Sequence, residues 1–375
     1  MKKKSRAILI FSGFNPRAVV AFLRTLERHK VPYGIIAKSS GDPIYETKYK
    51  DRVVACRTTA ALDLEDIQVQ IKMAKKNLPA DAYDIMPSTE ALNRFIIENE
   101  QLFGEINCSM PVVNRNLYEQ ISDKEPFSAL CAENDILIPK EFKKYAEVLV
   151  PFVAKPKKYL AGDGKSYSPV LVLDQTTKIM FESQFNTDDF YFQEFVDGIS
   201  YYLLYYFYKN GNVSKYSQQN LVQQPDGKSI IAAVSSDYHM RDISSSFEEL
   251  FRKVNYFGLV MVEVRVRNSQ HYMIEANPRF WGPSQLMVDS GINLFEDMLF
   301  DLGYISVPKI CENVELTRYF WGSGFAKTEE SYDKLAYINY SREKFISELE
   351  IWEESDIYNR PDTHKIFEAE RKEAV

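Results

Sequence analysis

Glu263 and Glu275 are the residues from which a chemistry can first be read. They lie in the stretch GLVMVEVRVRNSQHYMIEANPRFWG, from Gly258 to Gly282. Val260, Val262, Val264 and Val266 alternate there with Met261, Glu263, Arg265 and Arg267. Tyr272, Ile274 and Ala276 alternate with Met273, Glu275 and Asn277. Period two is the pattern of a half-buried strand, and Asn268-Ser269-Gln270 fits a three-residue hairpin loop. Centred on Ser269, the hairpin sets Arg267 against His271, Arg265 against Met273 and Glu263 against Glu275. Directly opposed side chains sit about 4.5–5.5 Å apart at Cβ, and like charges there repel. Two carboxylates so placed in an apolar ribbon require a cation. With the amide oxygen of Asn277 they make a hard-oxygen set suited to Mg2+, which when held by carboxylates usually also holds substrate phosphates. The plainer alternative is a surface hairpin with two solvated glutamates.

Further residues suit the same chemistry. Lys124 falls in a helix predicted over Asn116–Asn134, and Lys155 near the end of a strand, Phe152–Pro156. The loop AGDGKSY follows, with Gly162, Gly164 and Lys165, and then the segment Tyr191–Asp197, YFQEFVD. Each is weak by itself: a lysine ending a strand is usually solvated, and a glycine loop is usually a turn. In this order they describe one task. Lysines supply point charges for phosphates, glycines let backbone N–H groups approach phosphate oxygens, and paired carboxylates hold the metal that bridges them.

The elements that position these residues follow from periodicity. Ala7–Phe11 is a strand, Ala18–His29 a helix and Tyr33–Ala37 a strand, which is the opening of a parallel α/β sheet. The loop SGFNPRA has one glycine, so it falls short of a dinucleotide fingerprint. Val53–Ala55 and Asp84–Pro87 are further strands, Leu64–Lys76 is a helix, and Ser88-Thr89-Glu90 opens another with Ser88 or Thr89 as its N-cap. Later come strands at Pro169–Leu173, Ser200–Tyr208 and Ile230–Val234, a capped helix at Ser244–Tyr256 and a helix over Pro283–Asp301. The tail from Cys311 to Val375 is rich in Glu, Lys and Tyr, with a helical patch at Arg342–Trp352. It is expected to be a solvated helical appendage or an oligomer contact, as in a homodimer.

Composition narrows the class. The 375 residues are 45% hydrophobic and 26% charged, as in an ordinary globular protein of two or three domains. A net charge of −7 does not suggest a nucleic-acid partner. Cys56, Cys108, Cys131 and Cys311 are widely spaced, which implies buried thiols rather than a zinc site or disulfide framework. The apolar run Ala7–Phe11 is too short for a signal peptide, and no run of about 18 apolar residues predicts a membrane span. A cytoplasmic enzyme is expected.

On Lys124, Lys155, the glycine loop, the paired glutamates and EANPRFWG, the chain resembles the ATP-grasp superfamily of carboxylate–amine and carboxylate–thiol ligases, of the carbamoyl-phosphate synthase and biotin carboxylase type. The likeness runs over about residues 7–303. Members carry acid-x-Asn-x-Arg where this chain has Glu275-Ala276-Asn277-Pro278-Arg279. The resemblance implies an α/β fold, α+β toward its C-terminal part. It comprises a parallel N-terminal domain (1–115), a central and lid subdomain (116–195), an antiparallel C-terminal subdomain with the metal site (196–310) and a helical tail (311–375). It makes Glu263, Glu275 and Asn277 ligands of Mg2+, with Mn2+ able to replace it, and Lys124 and Lys155 the phosphate lysines. Gly162–Ser166, with Lys165, becomes a lid over ATP. Gln193, Glu194, Phe195 and Val196 become the adenine hinge, reading the base mostly through backbone groups of Glu194 and Val196. Arg279 would stabilise chemistry at the γ-phosphate. Arg265 would contact a phosphate or substrate carboxylate, or else pair with a glutamate across the strands. Where members often place a ribose-binding acid this chain has Ser200, with Asp197 as a substitute. Asn15, Arg17, Ser88, Glu90, Trp281 and Ser284 are candidates for an acceptor pocket. The implied reaction activates a small carboxylate as an acyl-phosphate and condenses it with an amine. A phosphotransferase, a carboxyphosphate-forming enzyme and a catalytically silent ATP-binding scaffold are the alternatives.

Overall fold

The computed structural model describes residues 5–307, 316–330 and 334–372. Cys311, where the expected tail begins, lies outside them.

Three sheets organise the chain. The first alternates β1 (Arg6–Phe11), α1 (Pro16–His29), β2 (Tyr33–Ala37), β3 (Val53–Cys56), α2 (Leu64–Asn77), β4 (Ala82–Ile85), α3 (Glu90–Glu98), α4 (Glu100–Glu105) and β5 (Cys108–Ser109). Its strands are parallel in the order β3-β2-β1-β4-β5. β2 is buried along its whole length, as expected of a strand with both faces covered. The winding reverses at β1, so a crevice opens beyond the C-terminal ends of β1 and β4. There the Asn15 side chain donates to the Ser88 carbonyl at 3.2 Å.

Two helices, α5 (Arg115–Ser122) and α6 (Lys124–Ala132), lead to the second sheet. It holds β6 (Glu141–Phe142), β7 (Phe152–Pro156), β8 (Val170–Val172), the helix α7 (Gln175–Gln184) and β9 (Phe190–Glu194). Its strand order is β6-β9-β7-β8, all antiparallel, and Phe152, Phe181, Phe190 and Phe192 fill its small core.

The third sheet contains β10 (Ile199–Phe207), β11 (Val213–Gln223), β12 (Ile230–Ser236), then α8 (Asp242–Lys253), β13 (Gly258–Arg267) and β14 (Gln270–Asn277). Helices α9 (Ser284–Asp289) and α10 (Leu294–Asp301) follow, then β15 (Arg318–Phe320), α11 (Gly322–Glu330), β16 (Ala336–Tyr337), α12 (Arg342–Ser347), α13 (Leu349–Glu354) and α14 (His364–Lys372). The strand order is β14-β13-β10-β11-β12-β15, with β16 also on β11. Leu203, Tyr205, Phe207, Val260 and Val262 share a core with Phe247 and Phe251 of α8. Tyr202, Leu204, Tyr206 and Met261, on the other face, share a core with α1, α9 and α10. In that second core Phe22 of α1 meets Phe280 and Phe295 at ring distances of 5.0 and 5.1 Å. The parallel domain is thus joined to the glutamate-bearing sheet through the residue that follows Arg279. Each such phenyl ring contributes about 1.5–3 kcal/mol on burial.

Several expectations need correction. The hairpin loop has two residues, Asn268 and Ser269, both in the left-handed region (φ 51° and 61°), which matches the twist of the flanking strands. Arg267 therefore pairs with Gln270, Arg265 with Tyr272 and Val264 with Met273. A bulge at Ile274 then adds one residue, and Glu263 does face Glu275. The helix expected over Asn116–Asn134 breaks at Asp123, whose backbone is extended (ψ 129°), and this places Lys124 at the start of a new helix. The helix expected from Ser244 starts at Asp242, where an acid favours the helix N-terminus. Ser244 is buried with its hydroxyl 3.0 Å from that of Tyr205. Gly291, at φ 82°, separates α9 from α10 where one helix was expected.

The tail is not a solvated appendage. β15 pairs with β12 and β16 with β11. Phe345, Trp352 and Ile357 are buried, and Asp362 holds Arg24 of α1 at 2.8 Å and Tyr49 at 2.7 Å. Trp352→Ala should therefore cost about 3–5 kcal/mol of global stability, the usual loss for a buried tryptophan. Urea unfolding measures it. A change below about 0.5 kcal/mol, the range of surface substitutions, would mean that the tail does not pack as described.

Candidate active site

Glu263 is 6% exposed, in the middle of the third sheet. A carboxylate in that position needs donors, and the neighbouring strands supply them. Ser200 of β10 donates its hydroxyl to Glu263 Oε1 at 3.1 Å. Asn220 of β11 donates to Ser200 at 2.9 Å, and Gln218 donates to Asn220 at 2.7 Å. All three supporting side chains are fully buried. Arg265, two residues on along the same face, donates Nε to Glu263 Oε1 at 3.1 Å and Nη2 to Gln223 at 3.1 Å. Arg265 thus pairs with a glutamate, along its own strand rather than across strands, and it also lines the slot described below.

Glu275 is held differently. Lys124, at the first position of α6, makes an ion pair with Glu275 Oε2. Asn277 donates its amide to Glu275 Oε1 at 2.9 Å. Burial would raise the Glu275 carboxyl, but the Lys124 ammonium and the Asn277 amide outweigh it and hold the group down at about 2. Arg279 donates Nη2 to Asn277 Oδ1 at 3.1 Å and Nη1 to the Phe280 carbonyl at 2.9 Å. Glu90 stands 3.9 Å from Arg279 Nε, and Glu90 also takes Arg94 at 2.7 Å. Arg94 reaches Asp123 at 2.5 Å, next to Lys124. Alternating charges therefore run around the site and link the crevice of the first sheet to the hairpin.

Lys155 of β7 enters from the second sheet. It is 4% exposed and donates to the Ile274 carbonyl at 2.8 Å. Ile274 is the bulge residue, so the bulge that restores the Glu263–Glu275 pairing also aims a carbonyl at this ammonium. Burial first, then repulsion from Lys124, lowers the Lys155 ammonium from its ordinary 10.5 to about 7, against the pull of Glu275 and Glu263.

Between the second and third sheets lies a slot walled by Val153, Leu171 and Ile274 with Gln193, Phe195 and Val196; Lys155, Glu263, Arg265 and Glu275 stand at its polar side. The slot can take a flat apolar ring with an anionic extension. Glu194 lines it too, but its N–H is spent on the Lys140 carbonyl at 2.8 Å and its carboxylate on Arg267 at 2.7 Å. Of the two backbone N–H groups in the expected hinge, Val196 is the one without an acceptor among the described residues. A Cβ on Gly198 would come within 2.2 Å of the Val266 carbonyl, so only glycine lets the chain pass β13 there.

Other expected residues lie elsewhere. Gly162, Gly164 and Lys165 form an exposed turn outside the slot, with the Lys165 side chain 73% exposed and 3.5 Å from Asp163; the following segment, Ser168–Leu171, is what reaches the clefts. Asp197 faces an adjoining cleft with residues of the tail. Ser200 supports Glu263 and so is not placed as a ribose contact. Thr89, not Ser88, caps α3. Glu90 serves as counter-ion to two arginines. Ser284 bonds to the Trp281 carbonyl within its own turn. Asn15, Arg17 and Trp281 do line a second cleft, together with Lys124, Glu275 and Arg279. Gln218, Asn220 and Arg94 escaped sequence reasoning. Polar residues in the middle of the strand KYSQQNLVQ were the available signal for the first two.

Among the described residues no group of three His, Cys, Asp or Glu gathers to hold a metal. Two carboxylates and an amide oxygen fit Mg2+ that brings other ligands with it, since Mg2+ usually binds through one or two carboxylates plus water and phosphate.

No protein-family model matches the sequence, and no curated protein matches it. Solved structures do. An N5-carboxyaminoimidazole ribonucleotide synthetase in complex with ADP superposes with a TM-score of 0.65 at 12% identity, over 95% of this chain and 100% of that one. Pyruvate carboxylase from Rhizobium etli gives 0.61 at 15% identity over 84% of this chain, which spans only 31% of that enzyme. An L-amino acid ligase from Bacillus licheniformis gives 0.58 at 15% identity, over 84% of this chain and 80% of that one. At these identities the likeness speaks to fold, and it agrees with the three sheets and the slot between the last two: the chain has the ATP-grasp fold.

Proposed function

We propose that the chain is an ATP- and Mg2+-dependent ligase that activates a small carboxylic acid as an acyl-phosphate and joins it to an amine, releasing ADP and phosphate. The observation that carries this reading is the convergence of Glu263, Glu275, Lys155 and Arg265 on one slot, with Lys124, Asn277 and Arg279 in the cleft that Glu275 shares with it. Carboxylate and triphosphate repel each other, and fixed cations lower that cost only where water is scarce. Lys155, nearly buried and, among the described residues, with no carboxylate in direct contact, suits a phosphate. Glu263, Glu275 and Asn277 would hold Mg2+, which would offset negative charge at the phosphates. Until then Lys124 and Arg265 hold these carboxylates in place.

The chemistry has two steps. A carboxylate oxygen attacks the γ-phosphorus as the bond to the ADP oxygen breaks. The amine nitrogen then attacks the acyl carbon, phosphate leaves, and the nitrogen gives up a proton. Arg279, joined to Asn277, faces the cleft in which the acid would lie.

The reading is tested by incubating the protein with ATP, Mg2+ and pools of amino acids and small acids. ADP and phosphate release that requires both an acid and an amine supports it. A phosphorylated product without free phosphate would point to a phosphotransferase, and AMP release would rule out an acyl-phosphate. Glu275→Gln should lower turnover about a hundredfold or more, the scale of losing one fixed electrostatic partner, while leaving the unfolding transition cooperative.

Lys155 provides a second test. The unfolded chain keeps this proton up to about 10.5, whereas the folded chain releases it near 7. Between these values the unfolded state binds more protons, so stability of the nucleotide-free protein rises with pH, by at most about 1.4 kcal/mol per unit from this group. Lys155→Met should melt several degrees above the parent protein at about pH 7, with the gap closing toward pH 10, and should lose ATP binding. A gap independent of pH would contradict a net cost of burying the charged ammonium at this position.

A further inference from the structure

Arg17 is 9% exposed, yet among the described residues no carboxylate pairs with it. Arg24 and Arg94, also largely shielded, each have one or more. Arg17 is instead held by neutral groups. Nη1 donates to the Ile230 carbonyl at 3.2 Å and to the Tyr319 hydroxyl at 3.1 Å, and Nη2 donates to the Ser229 hydroxyl at 3.0 Å. Its guanidinium lies over the Trp321 ring, 3.8 Å from the centroid. Against it stands Gly282, where a Cβ would come within 3.0 to 3.3 Å of three guanidinium atoms. A guanidinium has five N–H donors, so among the described residues two are left without an acceptor. These neighbours fix the group in place without neutralising it, and what exposure it retains faces the cleft it shares with Lys124, Asn277 and Arg279.

A fixed, uncompensated fork of this kind matches a carboxylate. The reacting carboxylate must reach the phosphates near Lys155 and Arg279, whereas Arg17 sits at the N-terminus of α1 with residues of the tail around it. We propose that Arg17 holds a second carboxylate, one that survives the reaction, so that one of the two substrates is an amino acid or a dicarboxylic acid. The proposal rests on the ligase reading and adds the substrate class. It also gives the tail a role, since Tyr319 and Trp321 set the guanidinium.

The test is binding, not turnover. MgADP affinity is measured first by calorimetry. The MgADP-loaded protein is then presented, in saturation-transfer NMR, with pools of common amino acids, of small dicarboxylic acids, and of the matching carboxamides. At least one acid should bind, and its carboxamide about 10- to 100-fold more weakly, the range for losing hydrogen bonds to a charged group. Whether the acid comes from the amino-acid or the dicarboxylate pool identifies the substrate. Arg17→Gln should lose acid binding by a similar factor with MgADP affinity unchanged, which also reports that it folds. Gly282→Ala, which crowds the guanidinium without removing it, should weaken acid binding in the same direction. Equal binding of acids and carboxamides, no acid bound at all, or parent-like binding by Arg17→Gln would each overturn the anchor while leaving the nucleotide site intact. Failure to bind MgADP would overturn both readings.

Discussion

Two negative charges placed opposite each other in a sheet constrain much of this structure. Glu263 and Glu275 are cross-strand partners on β13 and β14, in a position where like charges are unfavourable. The fold answers from three directions. Lys124 comes from the start of α6, Lys155 from the second sheet, and Arg265 from the same strand face as Glu263. Behind Glu263, the row Ser200, Asn220 and Gln218 carries the hydrogen bonding into the sheet. A buried polar row is costly wherever a link is left unmade, and here Gln218 Oε1 has no partner among the described residues, so the support of Glu263 is built at a cost in stability.

The hairpin also ties the molecule together. Immediately after Arg279, Phe280 enters the core between α1 and α10, and its N–H bonds to the Pro87 carbonyl at 2.9 Å. Arg279 is therefore fixed where the crevice of the parallel sheet meets the edge of the antiparallel one. The tail closes the far side. β15 extends the third sheet, Asp362 clamps Arg24, and Tyr319 and Trp321 surround Arg17. The tail thus shapes a cleft beside the slot.

Legibility in the sequence followed the range of the interactions involved. Alternation and periodicity located β1, α1, β2 and the two strands of the glutamate hairpin, because those signals are local. The facing of Glu263 and Glu275 was inferred through a loop one residue too long, and the bulge at Ile274 cancels that difference. Left-handed Asn268 and Ser269 leave little trace in composition, since neither is glycine. The break at Asp123 did leave a local trace: Ser122-Asp123-Lys124-Glu125 interrupts the apolar spacing after Ile121, and Pro126 sits where only the first turn of a helix tolerates it. The docking of the tail was illegible: its strands have three and two residues and are made by pairing with β12 and β11, far away in the chain. The glycine turn at 162–166 stands outside the slot, so its expected place as a lid rests on the resemblance alone.

The central claim is that the facing glutamates hold the metal of a metal–nucleotide complex. Its most direct measurement is the calorimetric affinity for ADP, with and without Mg2+, for the parent protein and for the double variant Glu263→Gln, Glu275→Gln. The account predicts that Mg2+ strengthens ADP binding to the parent and has no such effect on the double variant. The same Mg2+ dependence in both proteins would contradict it.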